Sequence, residues 1–175
     1  MRMLNWRPAR RTLAALSAAA GIAITTTPGL AGAWVADAKS GCQVWNPNPQ
    51  LEETVAWSGP CASGRAEGAG TVQWLKNGVA SETDQGEWRE GRQIGKGTQS
   101  WATGRYEGEL SDGEPNGYGV LTVQKLRYEG DFRNGKPNGI GTLMVGGETV
   151  HGTWKDGCLQ GARKASIGVP LSACR

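Results

Sequence analysis

The chain has 175 residues, of which 19 are lysine or arginine and 16 are aspartate or glutamate, for a net charge of +3. Four of the basic residues and none of the acidic ones lie in the first 33 positions, which leaves 15 basic against 16 acidic residues in the remainder. A near-neutral surface gives no counterion-release drive toward nucleic acid or anionic lipid, so no nucleic-acid partner is expected.

Residues 1–33 have the layout of a secretory signal peptide. A cationic start is followed by an apolar stretch at 13–24 and by the small residues Ala31, Gly32 and Ala33 at the usual cleavage spacing. An uncleaved membrane anchor is the alternative, but the apolar run is shorter than the about 20 residues that a span needs. The pattern predicts cleavage before Trp34 and a periplasmic or secreted location.

All four cysteines follow this leader, and an oxidising compartment favours disulfides between them. Of the three possible connectivities we prefer the sequence-local pairs, Cys42–Cys61 and Cys158–Cys174, each of which closes a loop worth roughly 3 kcal/mol. A metal site and free thiols are the alternatives. No two cysteines have metal-finger spacing and the only histidine is His151, so neither a metal nor a cofactor is predicted.

Glycines recur along the chain in the pattern G-x-x-x-x-G-x-x-x-G-x-G. The units begin at Gly59, Gly86, Gly108, Gly130 and Gly152, and the last four starts are 22 residues apart. A fixed period of this length indicates a repeat array. We place the array at 57–163, with cap segments at 34–56 and 164–175.

The unit at 105–124 illustrates the predicted fold of one repeat. Apolar and polar residues alternate from Tyr106 to Leu110, as on a strand with one buried face. Residues 112–117 are typical of a tight turn, and the alternation resumes from Gly119 on a return strand. The next unit repeats the pattern, with its turn at 135–139. Glycine inside a strand is expected to let a Tyr or Trp ring lie flat across the backbone.

One hairpin cannot bury enough surface alone, so neighbouring hairpins must stack. The predicted fold is therefore all-β, an elongated single-layer antiparallel sheet of about ten strands. Its exposed edges need caps, and the two disulfide-bearing flanks lie where the caps are required.

The strings RYEGEL and RYEGDFRNGKPNGIGTL resemble repeats of the membrane occupation and recognition nexus (MORN) family. The resemblance extends over about 57–161, with departures at Cys61, Asp84 and Val150, the last two of which stand where the other units have tyrosine. It implies a hairpin array used as a scaffold or interaction module, in a family with members linked to phospholipid binding. We expect no attached kinase or methyltransferase domain, so the resemblance implies no enzymatic activity.

Large apolar side chains recur on one face of the predicted sheet, where no second sheet covers them. The aromatic members are Trp88, Trp101, Tyr106, Tyr128, Phe132 and Trp154, which are accompanied by Leu110 and Leu121. Either these rings pack only on each other and on glycine, or they form a concave strip for a partner peptide, glycan or acyl chain.

Glu107 and Glu129 occupy equivalent positions one repeat apart, roughly 9–10 Å if hairpins are displaced by two strand spacings. That separation is near the upper limit for an inverting glycosidase pair. Because this glutamate belongs to the repeat pattern, we expect both to face solvent beside Arg or Lys, and an envelope hydrolase is the remote alternative. His151 takes the same place in the last unit and is expected at the surface or in cap packing.

These patterns favour a non-catalytic exported repeat protein, which acts as an interaction or scaffold module through its aromatic face. The expected partner is a protein of the cell envelope. Two other hypotheses remain open: a glycan- or lipid-binding module of the envelope, and a purely structural role in which the array forms a homodimer.

Overall fold

The computed structural model describes residues 32–174. The predicted leader, residues 1–33, lies almost entirely outside the described part of the chain. Its cationic start and apolar stretch are therefore not described further.

The described residues form strands and turns, with one short 3-10 segment at Leu171–Ala173. The strands are β1 (Ala33–Ala36), β2 (Gln43–Asn46), β3 (Glu53–Trp57), β4 (Cys61–Ala62), β5 (Arg65–Ala66), β6 (Gly68–Lys76), β7 (Val79–Arg89), β8 (Arg92–Trp101), β9 (Gly104–Ser111), β10 (Glu114–Val123), β11 (Leu126–Arg133), β12 (Lys136–Val145), β13 (Glu148–Lys155) and β14 (Cys158–Leu159).

Ten of these strands form one antiparallel sheet in the order β3-β6-β7-β8-β9-β10-β11-β12-β13-β14. From β6 onward every neighbour in the sheet is also the neighbour in sequence, which confirms the prediction of stacked hairpins. The first unit is different, because β3 pairs with β6 and the residues between them supply β4 and β5. Those two strands join β1 and β2 in a separate four-stranded sheet of order β1-β2-β5-β4.

The hairpin turns are shorter than the repeat pattern predicts. The β9–β10 turn is only Asp112 and Gly113, with φ values of 53° and 79°. Positive φ at both central residues is the mark of the type I′ turn, which matches the twist of paired strands. Residues 115–117 lie inside β10, where the register shifts at a β-bulge between Pro115 and Gly119. A bulge tolerates proline because its missing N–H is not needed there.

The same correction applies to the predicted turn at 135–139. Its turn residues are Asn134 and Gly135, and β12 already begins at Lys136. The turn glycine instead bonds the preceding hairpin, since the Gly135 N–H donates to the carbonyl of Pro115 at 3.0 Å. Equivalent bonds of 2.8–3.0 Å recur along the array: Gly91 to Ala66, Gly113 to Gln93, and Gly157 to Pro137.

A row of eight glycines crosses the large sheet from β6 to β13. Each is paired with the next in the ladder: Gly70, Gly86, Gly97, Gly108, Gly119, Gly130, Gly141 and Gly152. A Cβ built on Gly119 would overlap the ring of Tyr106, and one on Gly141 would overlap Tyr128. The glycines therefore let each tyrosine lie across the neighbouring strand, as expected from the sequence.

Both disulfides have the sequence-local pairing, Cys42–Cys61 and Cys158–Cys174. Each fixes a terminal segment to one of two hydrophobic clusters. The first cluster holds Val44 of β2 among the tryptophans of β3, β6 and β7. The second contains Ile167, whose N–H donates to the carbonyl of Gly157 at 2.8 Å.

Candidate functional site

The predicted aromatic strip is placed in the interior of the molecule. Five of the six side chains are buried, namely Trp88, Tyr106, Tyr128, Phe132 and Trp154. Phe132 meets Tyr106 and Tyr128 edge-to-face, with ring centroids 5.2 and 5.1 Å apart. The rings therefore pack on each other and on the glycine row, and they do not form an open strip for a partner.

Burial of this face has a physical cause that the repeat pattern alone does not contain. The terminal segments fold back onto the sheet, so that Ile167 joins the buried cluster that contains the tyrosines and Val44 joins the one that contains Trp88. Burying large aromatic side chains is worth about 2–3 kcal/mol each, which favours covering the face over leaving it in water.

The glutamates lie on the opposite face, in a row where Glu107, Val120 and Glu129 are neighbours. Arg105 pairs with Glu107 and Arg127 with Glu129, as expected for a solvent-facing position. The hydrogen bond that Tyr118 donates at 2.6 Å and the contact with Arg127 lower the pKa of Glu129. A general acid needs a raised pKa, so this environment opposes the hydrolase alternative.

His151 is exposed on this same face. Its Nδ1 lies 3.0 Å from the hydroxyl of Thr142 on the neighbouring strand. This cross-strand contact and the exposure of the ring agree with the expected surface position of His151.

A cavity of about 210 Å³ opens where the N-terminal segment meets β6–β8. The N-terminal wall comes from β2, the loop that follows it, and β3; the floor comes from β6, β7 and β8. Its lining residues are Trp45, Asn46, Pro47, Asn48, Gln50, Glu53, Trp74, Ser81, Glu82, Asp84, Trp88, Gln93, Gln99, Trp101 and Gly113. We call this the polar–aromatic pocket. Trp88 and Trp101 are the two predicted binding residues that it contains.

Equivalent positions in successive repeats form columns. At the floor of the pocket, the buried columns carry different residue types from those in the next two repeats. Asp84 pairs with Gln99 across β7 and β8, at the place where Tyr106 pairs with Leu121 one repeat later. The next repeat again has the pair Tyr128 and Leu143. Two apolar partners are thus replaced by an acid and an amide at a buried position.

A third column changes in the same unit. Gln93 stands 22 residues before Pro115 and 44 before Pro137, and all three are buried. The Gln93 amide takes the space over Gly97 that tyrosine rings fill over Gly119 and Gly141. Three polar substitutions therefore coincide in one repeat, and they coincide with the cavity.

Most polar groups of the floor are bonded to one another. The Trp74 indole N–H donates to Asp84 at 2.8 Å. The Gln99 amide N–H₂ donates to Gln93 Oε1 at 3.1 Å and to the carbonyl of Gly113 at 2.8 Å. Gln93 donates in turn to the carbonyl of Gln85. This network holds the side chains in fixed orientations around the cavity.

Two buried atoms of the pocket have no hydrogen-bond partner among the described residues. They are the indole Nε1 of Trp88, a donor, and the Oε1 of Gln99, an acceptor. Trp88 is 3% exposed and Gln99 is 1% exposed. Leaving such a group unsatisfied costs about 1–3 kcal/mol, so a ligand group that reaches either atom would be stabilised.

The outer wall is held in place before any ligand arrives. The backbone N–H of Trp45 donates to the carbonyl of Gly91 at 2.8 Å, which fixes β2 to the β7–β8 turn. The Arg92 guanidinium lies 4.4 Å from the Trp45 ring centroid, as in a cation–π contact. Behind it, Asn46 donates to Glu53 at 2.6 Å.

The pocket is acidic. Glu53, Glu82 and Asp84 contribute carboxylates, and lysine, arginine and histidine are absent from its described lining. Within residues 32–174 no group of three or more His, Cys, Asp or Glu side chains is arranged to hold a metal ion. In the same range no helix is long and apolar enough to cross a membrane.

A signal for this site is present in the sequence. The 22-residue alignment shows Asp84 where tyrosine is expected, but Gln93 and Gln99 are found only when every column of the repeat is compared. What the columns cannot show is the N-terminal wall, because Trp45 and Glu53 lie outside the repeat pattern.

Comparison with known families agrees with the geometry. The family model for the MORN repeat matches residues 85–104, 106–122 and 128–144, less than a third of the chain. The later matches begin at or next to the buried tyrosines, whereas the first begins one residue after Asp84. No curated protein matches the chain. These three segments are thus similar to MORN repeats, and such repeats suggest a non-catalytic repeat module.

Proposed function

We propose that the chain is an exported, non-catalytic binding protein in which the repeats form a rigid frame and the polar–aromatic pocket holds a small ligand. The observation that carries this proposal is the coincidence of three polar substitutions, Asp84, Gln93 and Gln99, with the one repeat that borders the cavity. In the next two repeats the same columns carry tyrosine, proline and leucine.

Stability alone does not account for these three side chains. An apolar residue in each column would fill the space and remove the cost of burying polar groups. Proteins depart from the locally favourable choice mainly at functional sites. The replacements are therefore best explained by a ligand that needs polar partners on an aromatic floor.

Export is part of the proposal. The disulfides Cys42–Cys61 and Cys158–Cys174 suggest an oxidising compartment. Together with the predicted leader at 1–33, they support a periplasmic or secreted protein with its array at 57–163 between two caps. The ligand would then be met in the cell envelope or outside the cell.

A second candidate function, protein binding as a scaffold, is favoured by the outer face of the sheet. Tyr118 and Ile140 are 52% and 62% exposed. Tyr118 is paired with Asp131 of β11, and the backbone N–H of Ile140 donates to the Asp131 carboxylate from the other side. The exposed pair could contact a protein partner or a second copy of the chain. It does not involve the buried aromatic rings.

Nuclear magnetic resonance with ¹⁵N-labelled protein separates the two functions. A library of small fragments should shift the indole resonances of Trp88 and Trp101 and leave the backbone amide of Ile140 unchanged. If no fragment shifts either indole, the pocket is not a ligand site. Light scattering of Tyr118→Ser with Ile140→Ser then tests whether the outer face mediates self-association.

A further inference from the structure

We infer that the polar–aromatic pocket binds one neutral saccharide ring. This inference rests on the proposed function and names the ligand class of the same pocket. It follows from four properties of the lining: the two unsatisfied atoms, the sign of the charge, the aromatic walls and the size.

The unsatisfied atoms require a ligand that both accepts and donates. Trp88 Nε1 needs an acceptor, and Gln99 Oε1 needs a donor. A hydroxyl group has one donor hydrogen and two acceptor lone pairs, so a ligand with several hydroxyls has the groups that both atoms need. An acyl chain has no group for either, and burying it here would leave both atoms without partners.

The charge of the lining selects against ions of either sign. Carboxylates of Glu53, Glu82 and Asp84 repel an anion, and the described lining contains no basic group to offset them. An ammonium ion suits the carboxylates, but it carries donors only and leaves the Trp88 N–H unsatisfied. A neutral ligand with hydroxyl groups meets both conditions, because carboxylates are acceptors for the remaining hydroxyls.

The aromatic side chains supply the apolar part of recognition. Trp74 and Trp88 are buried in the floor, while Trp45 of the wall and Trp101 of the floor are partly exposed. A pyranose ring has faces of C–H groups and an edge of hydroxyls, so it presents apolar and polar surface together. Pockets that combine apolar walls with a few placed polar groups are typical of small-molecule sites.

The volume limits the ligand to one ring. Pockets for drug-sized ligands usually measure roughly 300–1,000 Å³, and this cavity measures about 210 Å³. One hexose ring is consistent with that space. The ring could be a free monosaccharide or the terminal residue of a longer glycan, since both have the same chemistry.

The test is a titration of the ¹⁵N-labelled full chain with glucose, N-acetylglucosamine and the linear tetrasaccharide of each, with choline and acetate as ionic probes. At least one saccharide should shift the Trp88 indole resonance. A response to the monosaccharide alone identifies a free sugar, and tighter binding of the tetrasaccharide identifies a glycan end.

Two variants check the contacts. Trp88→Phe removes the donor, and Gln99→Leu installs the residue found at the same position of the next two repeats, so it should fold. Each should weaken saccharide binding, followed through the Trp101 indole resonance, about tenfold, the value of one hydrogen bond. Gln73→Leu, an exposed change on β6, is the matched control and should leave binding unchanged.

The outcomes are distinct. If choline or acetate shifts the Trp88 indole and no saccharide does, the saccharide class is wrong while the pocket remains a ligand site. If saccharide binding is unchanged in both variants, the sugar binds elsewhere and the inference fails. If none of these probes and no fragment of the broader library shifts Trp88 or Trp101, the proposed function fails as well.

Discussion

The carboxylate of Asp84 accepts a hydrogen bond from the indole N–H of Trp74, 2.8 Å away in the interior of the sheet. One and two repeats later the equivalent side chains are Tyr106 and Tyr128, and their hydroxyls bond to backbone carbonyls of their own strands instead. The same backbone position therefore supports a filled core in two repeats and a polar cavity in one.

The glycine row predicts a specific steric coupling. Gly141→Ala should lower the free energy of unfolding by about 1–3 kcal/mol, the usual cost of overpacking, because the new methyl group would overlap the ring of Tyr128. Equilibrium denaturation in urea measures the change.

A double-mutant cycle identifies the cause. Tyr128→Leu shortens the side chain that blocks the methyl group, so Gly141→Ala should cost less in that background than in the wild type. Equal costs in both backgrounds would show that the alanine acts through the backbone and not through the ring.

The buried tyrosines predict alkaline instability. Burial, followed by the charges of Glu109 and Asp131 respectively, raises the pKa of Tyr106 and of Tyr128. Each of these phenols therefore keeps its proton to a higher pH in the native state than in the unfolded chain. This contribution to stability is complete below about pH 10, the ordinary tyrosine pKa, and is lost as the pH rises further.

Tyrosinate absorbance and circular dichroism against pH test this expectation. Tyr106 and Tyr128 should ionise together with unfolding, whereas Tyr118 is exposed and can ionise in the folded protein once the pH exceeds its pKa, which the hydrogen bond to Glu129 raises. Tyr118→Phe should remove only the rise in tyrosinate absorbance that precedes unfolding. Ionisation of the two buried tyrosines with native circular dichroism would contradict the core described above.

The two disulfides predict different functional effects. Replacing Cys158 and Cys174 by alanine should lower the free energy of unfolding by about 3 kcal/mol and leave the pocket's affinity unchanged. Replacing Cys42 and Cys61 should have a similar effect on stability and also weaken binding, because Cys42 directly precedes the strand that carries Trp45.

Denaturant titration and saccharide titration of the two double variants measure these effects. An equal loss of binding in both would mean that global stability, and not the position of β2, controls the pocket.

The large sheet was predictable because its information is local and periodic. Alternation around Tyr106 and the 22-residue spacing of the glycines specify hairpins and their stacking, and the tyrosine–glycine contact follows from them. The turn lengths were harder to predict. Pro115 and Gly117 are residues of turns in most contexts, but here they belong to a bulge that has counterparts in the hairpins β7–β8 and β11–β12.

The candidate site was less predictable because it depends on contacts between distant segments. Nothing near Trp45 in sequence indicates that it will face Trp101, and the repeat pattern gives no reason to expect Ile167 on the aromatic face. These contacts decided whether the aromatic rings were surface or core. Of the polar residues in the pocket floor, only Asp84 was identified from the sequence as a departure from the repeat.

The most direct test restores the repeat in the unit that departs from it. The triple variant Asp84→Tyr, Gln93→Pro and Gln99→Leu copies the residues of the next two units and fills the pocket. Urea denaturation of this variant and of the wild type, with and without whichever of the four saccharides shifts the Trp88 indole resonance, gives both stability and ligand linkage in one measurement.

We predict that the variant is more stable than the wild type by about 1–2 kcal/mol, the gain in apolar burial less the cost of leaving Trp74 without its acceptor. The saccharide should stabilise the wild type and have no effect on the variant. A variant that is less stable than the wild type and still stabilised by the saccharide would contradict the assignment of this pocket.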